Sequence, residues 1–458
     1  MAHTDSDLTR GAMGSLPRKR KQFPIGADIN TAVIGLPPDV AKKLAPWHLG
    51  TAAVVASFLA MPFGPRMNQA ALLLLVVAIV AAASTTTNFL TNAIVPLALV
   101  IPAWWMILLL HPNVINLDTG ILGYRASVVF VLGVLLGVLW KRRPRAALVL
   151  IWWSLLIACA ASIVLYLYFP GIEASFSRAA DVYTFTFRGR RRLQGLFAGP
   201  FHASLAGAFL TLSSLRVSSI VPHRSVRICG FAIGIGCLLM SQVRSGLVSV
   251  VVGAVLILIV AAPTAVRIRA IYGAGCMAIL GTIFSSALMS MISRLPSVDS
   301  LFSATGDSRL LNREGTWRAA IKMIAESPFI GWGPGSAGAT LQSSFPPGGH
   351  ITSHNLVLKY GVEGGIPGGI MIVALLVALA IGIVRAGDPT GIAIAAFVPI
   401  VVFGSIGSTV DALPVSFALA VILGICANPA NRDELSAPAT QRDHVSKEVR
   451  EGVADGAR

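Results

Sequence analysis

The sequence predicts an all-α polytopic membrane protein with about twelve transmembrane helices and a large exoplasmic loop between spans nine and ten. Three observations carry that expectation. Hydrophobic letters make up 55% of the 458 residues and charged ones only 12%, at a mean hydropathy of +0.75; an ordinary soluble domain carries roughly 25% charged residues. The apolar letters fall in blocks close to the ~20 residues that a bilayer-crossing helix needs. Lysine and arginine recur in the connections that a cytoplasmic N-terminus would place inside. A soluble globular fold is excluded.

Residues 1–46 form a polar leader with Arg18, Lys19, Arg20 and Lys21 and no secretory signal, a segment expected in the cytoplasm. Apolar blocks follow at 47–62, 68–83, 90–110, 120–140, 145–169 and 199–221, then at 226–241, 245–262, 268–291, 365–384, 390–408 and 414–427. Together they define a transmembrane domain over 47–427. The inner loops then hold Lys141, Arg142, Arg143 and Arg145, Arg216 with Arg224 and Arg227, Arg267 with Arg269, and Arg385. An even number of spans returns the C-terminus to the cytoplasm, where 428–458, rich in charge and small polar residues, reads as a disordered tail. All five cysteines lie in apolar blocks without a CxxC pair, which supports neither a disulfide framework nor a zinc site and makes them small core residues.

A net charge of +16, from 36 Lys and Arg against 20 Asp and Glu, suits nucleic acid, anionic lipid or a phosphorylated ligand. Position decides among these. Two long connections, 170–198 and 293–353, face outward in this arrangement and break the charge rule. The first carries Arg178, Arg188, Arg190, Arg191 and Arg192, and the second Arg294, Arg309, Arg313, Arg318 and Lys322. These outer cations are almost all arginine, whose planar fork holds phosphate oxygens bidentately where an ammonium is only a point charge. An exoplasmic phosphate-bearing ligand is implied; contact with anionic lipid headgroups is the plainer alternative.

Within the second loop, Arg313, Trp317, Ala320, Ile321 and Ile324 recur at helical spacing until Pro328 ends the pattern. Asn312 as N-cap would set Arg313 in the first turn, beside unpaired N–H groups that favour an anion. A formal GxGxxG in 333–338 holds Pro334 and lacks a βαβ context, so a dinucleotide site is rejected in favour of a loop that lets backbone approach a bulky ligand. In Ser353-His354-Asn355, Ser353 would cap a short helix whose dipole keeps His354 neutral and able to accept a proton. A structural hydrogen-bonding role is the alternative for a lone histidine. Arg244, in a tight outer turn, and Arg125, inside the fourth span, sit where an arginine costs about 2.5–3.5 kcal/mol and are functional candidates, with snorkelling the alternative for Arg125. The only Asp-x-Asp pair is Asp5-Ser6-Asp7 in the leader, and neither a P-loop nor an HExxH is present. This argues against metal-chelated sugar nucleotides, ATP-driven pumping and zincin proteolysis.

The chain resembles the O-antigen ligase superfamily of bacterial membrane glycosyltransferases over roughly 191–368. The markers are His354-Asn355, nine intervening residues and then Gly365-Ile366-Pro367-Gly368; Arg313 four residues before Trp317; and Arg244-Ser245-Gly246 between two spans. One departure is Pro200-Phe201-His202, where relatives often have Pro-Asn. The resemblance implies a twelve-span fold and transfer of a glycan from a polyprenyl diphosphate carrier to an acceptor hydroxyl, with no metal or other cofactor. It implies His354 as the base, Arg313 and Arg244 as the catalytic residues that hold the diphosphate, and Arg191 or Arg192 as a further basic position; Asn355, Trp317, Arg318 and Arg125 join them as candidate substrate-binding residues. The implied partners are the lipid-linked glycan donor, a glycan or lipid-anchored acceptor and membrane lipids, with no nucleic acid. The implied location is the plasma (inner) membrane, with both termini cytoplasmic. A lipid-linked saccharide flippase is the alternative from another class, disfavoured by the lack of internal repeats. A peptidoglycan polymerase of the shape, elongation, division and sporulation type would lean on a loop carboxylate instead.

Overall fold

The computed structural model describes residues 46–261 and 308–436, apart from 64, 85–91, 115, 142, 180–185, 188–189, 198, 217–219, 222, 339–344, 346–347, 387–390 and 408–413. The leader, the ninth apolar block with Arg267, Arg269, Cys276 and Arg294, and residues 437–458 lie outside the described residues. The described residues form one compact unit.

It is helical throughout, apart from an antiparallel pair of two-residue strands, β1 (Thr186–Phe187) and β2 (Arg190–Arg191). The helices are α1 (Pro46–Phe63), α2 (Pro65–Ser84), α3 (Ile94–Leu108), α4 (Leu117–Leu139), α5 (Pro144–Tyr168), α6 (Pro170–Ala179) and α7 (Pro200–Ser214). They continue as α8 (Arg224–Ser241), α9 (Arg244–Ala261), α10 (Ser308–Glu326), α11 (Leu356–Ala386), α12 (Ile392–Ile406), α13 (Val415–Ala427) and α14 (Arg432–Ser436). Four of them, α4, α5, α8 and α11, are long and apolar enough to cross a membrane; α1, α2, α3, α9 and α12 are apolar but shorter.

Prolines mark several starts, because at the first helical position the missing N–H would have been unpaired anyway: Pro144 opens α5 and Pro200 opens α7. The core is built by close helix crossings at small residues. A Cβ on Gly137 of α4 would come within 2.3 Å of the Val421 carbonyl of α13, and one on Gly424 of α13 within 2.3 Å of Val134 O. Gly207 of α7 and Gly234 of α8 meet in the same way. Such approach gains van der Waals contact where hydrophobicity cannot drive helices together, the lipid tails being as apolar as the side chains. The outward faces carry exposed Leu73, Ile107, Ile157, Val251, Ile370 and Val384, as a helix body wetted by lipid does.

Alternation of the helices sorts the connections onto two ends. One end gathers the described residues of 109–116, 169–199, 242–243 and 327–355; the other gathers the described residues of 140–143, 215–223 and 428–436. The helical body runs past the expected boundary at 427, because Pro429–Asn431 forms a 3-10 turn and α14 follows it. Asn428 and Asn431 are buried and donate to Val138 O at 2.7 Å and Trp140 O at 3.1 Å, which fixes this segment to the end of α4. Cys159, Cys237 and Cys426 are buried as expected, whereas Cys229 is exposed on the outward face of α8.

Candidate functional site

The site is organised by a break in α11. Gly365 has φ 70° and ψ −170°, a conformation essentially restricted to glycine, and the chain turns back on itself there. The Gly369 Cβ position lies 3.7 Å from the Gly361 Cα, two backbones that a straight helix would hold about 12 Å apart. Pro367 could not in any case have donated to the preceding turn. The break orphans backbone groups, and the glycine-rich loop satisfies them: Trp332 N donates to Val362 O at 2.8 Å, Gly333 N to Glu363 O at 3.0 Å, and Ile366 N to Pro328 O at 2.7 Å. The formal GxGxxG therefore packs against a helix break rather than around a nucleotide.

The same loop carries the histidine segment. Ile351 N donates to Ser336 O at 2.8 Å and Gly338 N to Ile351 O at 3.0 Å, three residues ahead of His354. His354 itself has φ 49°, a left-handed conformation uncommon outside glycine. Asn355, and not Ser353, caps the helix: its Oδ1 accepts from Leu358 N at 3.0 Å while its Nδ2 donates to Ser405 O of α12 at 3.2 Å. Asn is as good a cap as Ser, and here it has the extended reach to tie two elements together. Ser353 Oγ instead donates to Asn355 O at 3.1 Å.

Helix α10 starts earlier than the sequence predicts. It begins at Ser308, so Asn312 lies inside the helix and Arg313 is a turn and a half beyond its start, clear of the unpaired N–H groups. What the helix does is bring Arg313 to His354. Ala320 and Met323 of α10 pack with Ala337 and Val362, Ile324 reaches Gly361, and the Trp332 indole donates to Met323 O at 2.8 Å. His354 is half-buried, and burial first, then the nearby Arg313 guanidinium, holds its imidazole below the ordinary pKa. The physical cause of its neutrality is therefore desolvation and a neighbouring cation.

Trp317, one turn after Arg313, is half-buried with an indole N–H that has no hydrogen-bond partner among the described residues. Arg318 points away, 79% exposed and paired with Glu314 at 2.6 Å. Arg125 is half-buried on α4, two residues past Gly123, whose Cβ position lies 2.3 Å from Gly335 N in the loop. It has no hydrogen-bond or ion-pair partner among the described residues.

Arg191, Arg192 and Arg244 meet at a separate corner of the same end. Arg191 stacks on the Tyr166 ring at 4.3 Å, donates to Tyr166 O and pairs with the buried Glu173 at 3.4 Å. Arg192 is buried and donates through Nε to Ser241 O at 2.8 Å, capping α8, with its guanidinium over Phe201. Phe201, which stands where relatives often have Asn, thus supports an arginine. Arg244 opens α9 two residues after Gln242, a left-handed residue that lets α8 turn directly into α9, and is half-buried.

Two groups escape the sequence argument. His111, in the loop after α3, abuts Gly331 and Gly333; its Nδ1 accepts from Asn113 N at 3.2 Å, and burial holds its pKa below the ordinary value against a hydrogen bond with the Gly331 backbone. Glu363 is fully buried, its carboxylate accepting from Trp105, Ser127 and Gly335. Lys359 and Glu363, one helical turn apart in an apolar run, were a legible signal; His111 had none. Among the described residues no three His, Cys, Asp or Glu side chains come together.

Residues 229–373 match a family model described as O-Antigen ligase. Over that stretch the chain is similar to the O-antigen ligases. The matched stretch runs from within α8 through α9 with Arg244, α10 with Arg313, the loop, His354 and the break in α11, so it contains all three expected catalytic positions. No curated protein matches the chain. The match supports an enzyme role in general, and the long apolar helices a membrane setting.

Proposed function

We propose that the protein transfers a glycan from a polyprenyl diphosphate carrier to an acceptor hydroxyl at the outer face of the plasma membrane, as an O-antigen ligase or a polysaccharide polymerase does. The observation that carries this reading is the approach of a neutral, half-buried His354 to Arg313 within the matched stretch. A neutral imidazole can take a proton, and an adjacent guanidinium can bind the charge that chemistry creates.

His354 removes the hydroxyl proton as the acceptor oxygen forms its bond to the anomeric carbon. The bond from that carbon to the diphosphate oxygen breaks, its electron pair leaving with the lipid diphosphate, and configuration inverts. Arg313 and Arg244 hold the departing diphosphate, a role that preorganised donors fill best where water is excluded. Arg125, half-buried beside the loop, adds a third guanidinium. Arg191 and Arg192 keep the corner that presents Arg244 in shape, and Trp317 offers its indole N–H to the sugar. No step requires a metal.

The outward orientation is supported by charge. The end of the helical body opposite the site carries Lys141, Arg143, Arg145, Arg216, Arg224, Arg227 and Arg432, as a cytoplasmic face does. The test is transfer assayed in membranes with purified lipid-linked donor. His354→Ala is expected to lose roughly 10²- to 10⁴-fold in rate; an unchanged rate, or strict dependence on a divalent cation, overturns the mechanism.

A further inference from the structure

Glu363 is a carboxylate sealed inside the molecule, and each of its bonds leads to a different element. Oε2 accepts from the Trp105 indole of α3 at 2.9 Å and from the Ser127 hydroxyl of α4 at 2.5 Å; Oε1 accepts from Gly335 N in the glycine-rich loop at 3.2 Å. Its own backbone carbonyl accepts from Gly333 N at 3.0 Å. Tyr360, one turn earlier, donates to Ser127 O and lies 4.9 Å from the Trp105 ring. Burying a carboxylate is costly unless several donors meet it, and this one has donors from three directions.

From Gly335 the restraint reaches the chemistry in short steps. Gly335 leads to Ser336 and Gly338, which pair with Ile351, and Ile351 precedes His354 by three residues. The other side of the loop holds Trp332 against Met323 on the helix of Arg313. We infer that Glu363 is a positioning residue: by fastening the Gly335 backbone to α3, α4 and α11, its carboxylate fixes His354 against Arg313 in the geometry the transfer requires. This rests on the proposed role of His354. Glu363 touches no reacting atom and is too deeply enclosed to meet substrate; Arg313 is the charge that faces His354.

Replacement by glutamine keeps the volume but forces an amide NH2 against either Gly335 N–H or the Trp105 and Ser127 donors, so one side of the clasp opens. The experiment measures glycan transfer in membranes for wild type, Glu363→Gln, Ser127→Ala and His354→Ala, each checked for folding by its elution as a single species in detergent. Glu363→Gln is expected to lower kcat at least tenfold with KM for the lipid-linked donor within twofold. The acid limb of its pH–rate profile is expected to move to higher pH as His354 is released from Arg313. Ser127→Ala, which removes one donor and little volume, moves both readouts the same way by a smaller amount. If Glu363→Gln and Ser127→Ala elute normally and keep the wild-type kcat and acid limb while His354→Ala is inactive, Glu363 has no positioning role. If His354→Ala itself is as fast as wild type, the underlying reading of the site fails instead.

Discussion

At the residue scale, the proposed transfer depends on one imidazole and its surroundings. His354 is held below its ordinary pKa of about 6.5 by burial and by Arg313. A lowered pKa keeps the base form populated as pH falls, so the acid limb of the rate profile should lie below 6.5 and activity should be lost only as pH drops through the depressed value. Removing the cation raises the imidazole pKa, and Arg313→Gln should therefore shift that limb to higher pH while also lowering kcat. A pH–rate series on the two proteins checks both, and coincident limbs would show that Arg313 does not act on His354. Arg318 behaves differently. Exposed and paired with Glu314, it is expected to contribute less than 1 kcal/mol to anything but the helix surface. The arginine count of the loop was visible in the sequence, but which arginine faces the histidine was not, because that depends on the rotation of α10 against α11.

At the element scale, the break in α11 governs the site. Gly365 combines a glycine-only conformation with a Cβ position 2.6 Å from Pro328 O. Gly365→Ala should thus cost several kcal/mol, with strain of about 1–3 kcal/mol before any clash is counted. It should lower the thermal midpoint in detergent and abolish transfer together, whereas Gly315→Ala on exposed α10, with nothing within 4 Å, should leave the midpoint unchanged or slightly raised. The Gly-x-x-Gly spacing after His-Asn was legible as a motif. Its physical meaning was not, since the freed carbonyls of Val362 and Glu363 are met by a loop about 30 residues upstream. The same holds for the cap: Ser353 and Asn355 both suit an N-terminus, and the tie from Asn355 to Ser405 on α12 decides between them.

At the scale of the whole molecule, a single end collects His354, Arg313, Arg125 and the Arg191, Arg192 and Arg244 corner, and among the described residues the opposite end collects Lys141, Arg143, Arg145, Arg216, Arg224, Arg227 and Arg432. Cysteine labelling with a membrane-impermeant maleimide on intact cells should therefore mark Gly315→Cys on α10 and spare Ala430→Cys, both exposed positions. The reverse pattern would place the site in the cytosol and remove a lipid-linked donor on the outer face. The close α4 and α13 contact at Gly137 and Gly424 lies in the last turn of both helices, at the end opposite the site.

Composition, block length and the alternation of charge determined by themselves that the chain is a helical membrane protein and that arginine, histidine and glycine concentrate in one part of it. These are properties of local sequence: a stretch of apolar residues is expelled from water whatever it packs against, and a glycine-rich motif announces an unusual backbone wherever it falls. Tertiary structure alone decided that Glu363, a charged letter in an apolar run, is clasped by Trp105 and Ser127 from more than two hundred residues away, that Arg191 and Arg192 lie against α5 and α8, and that Arg313 is the cation at His354. Those outcomes are set by which helix faces meet, and long-range pairing leaves no period in the sequence from which it could be read.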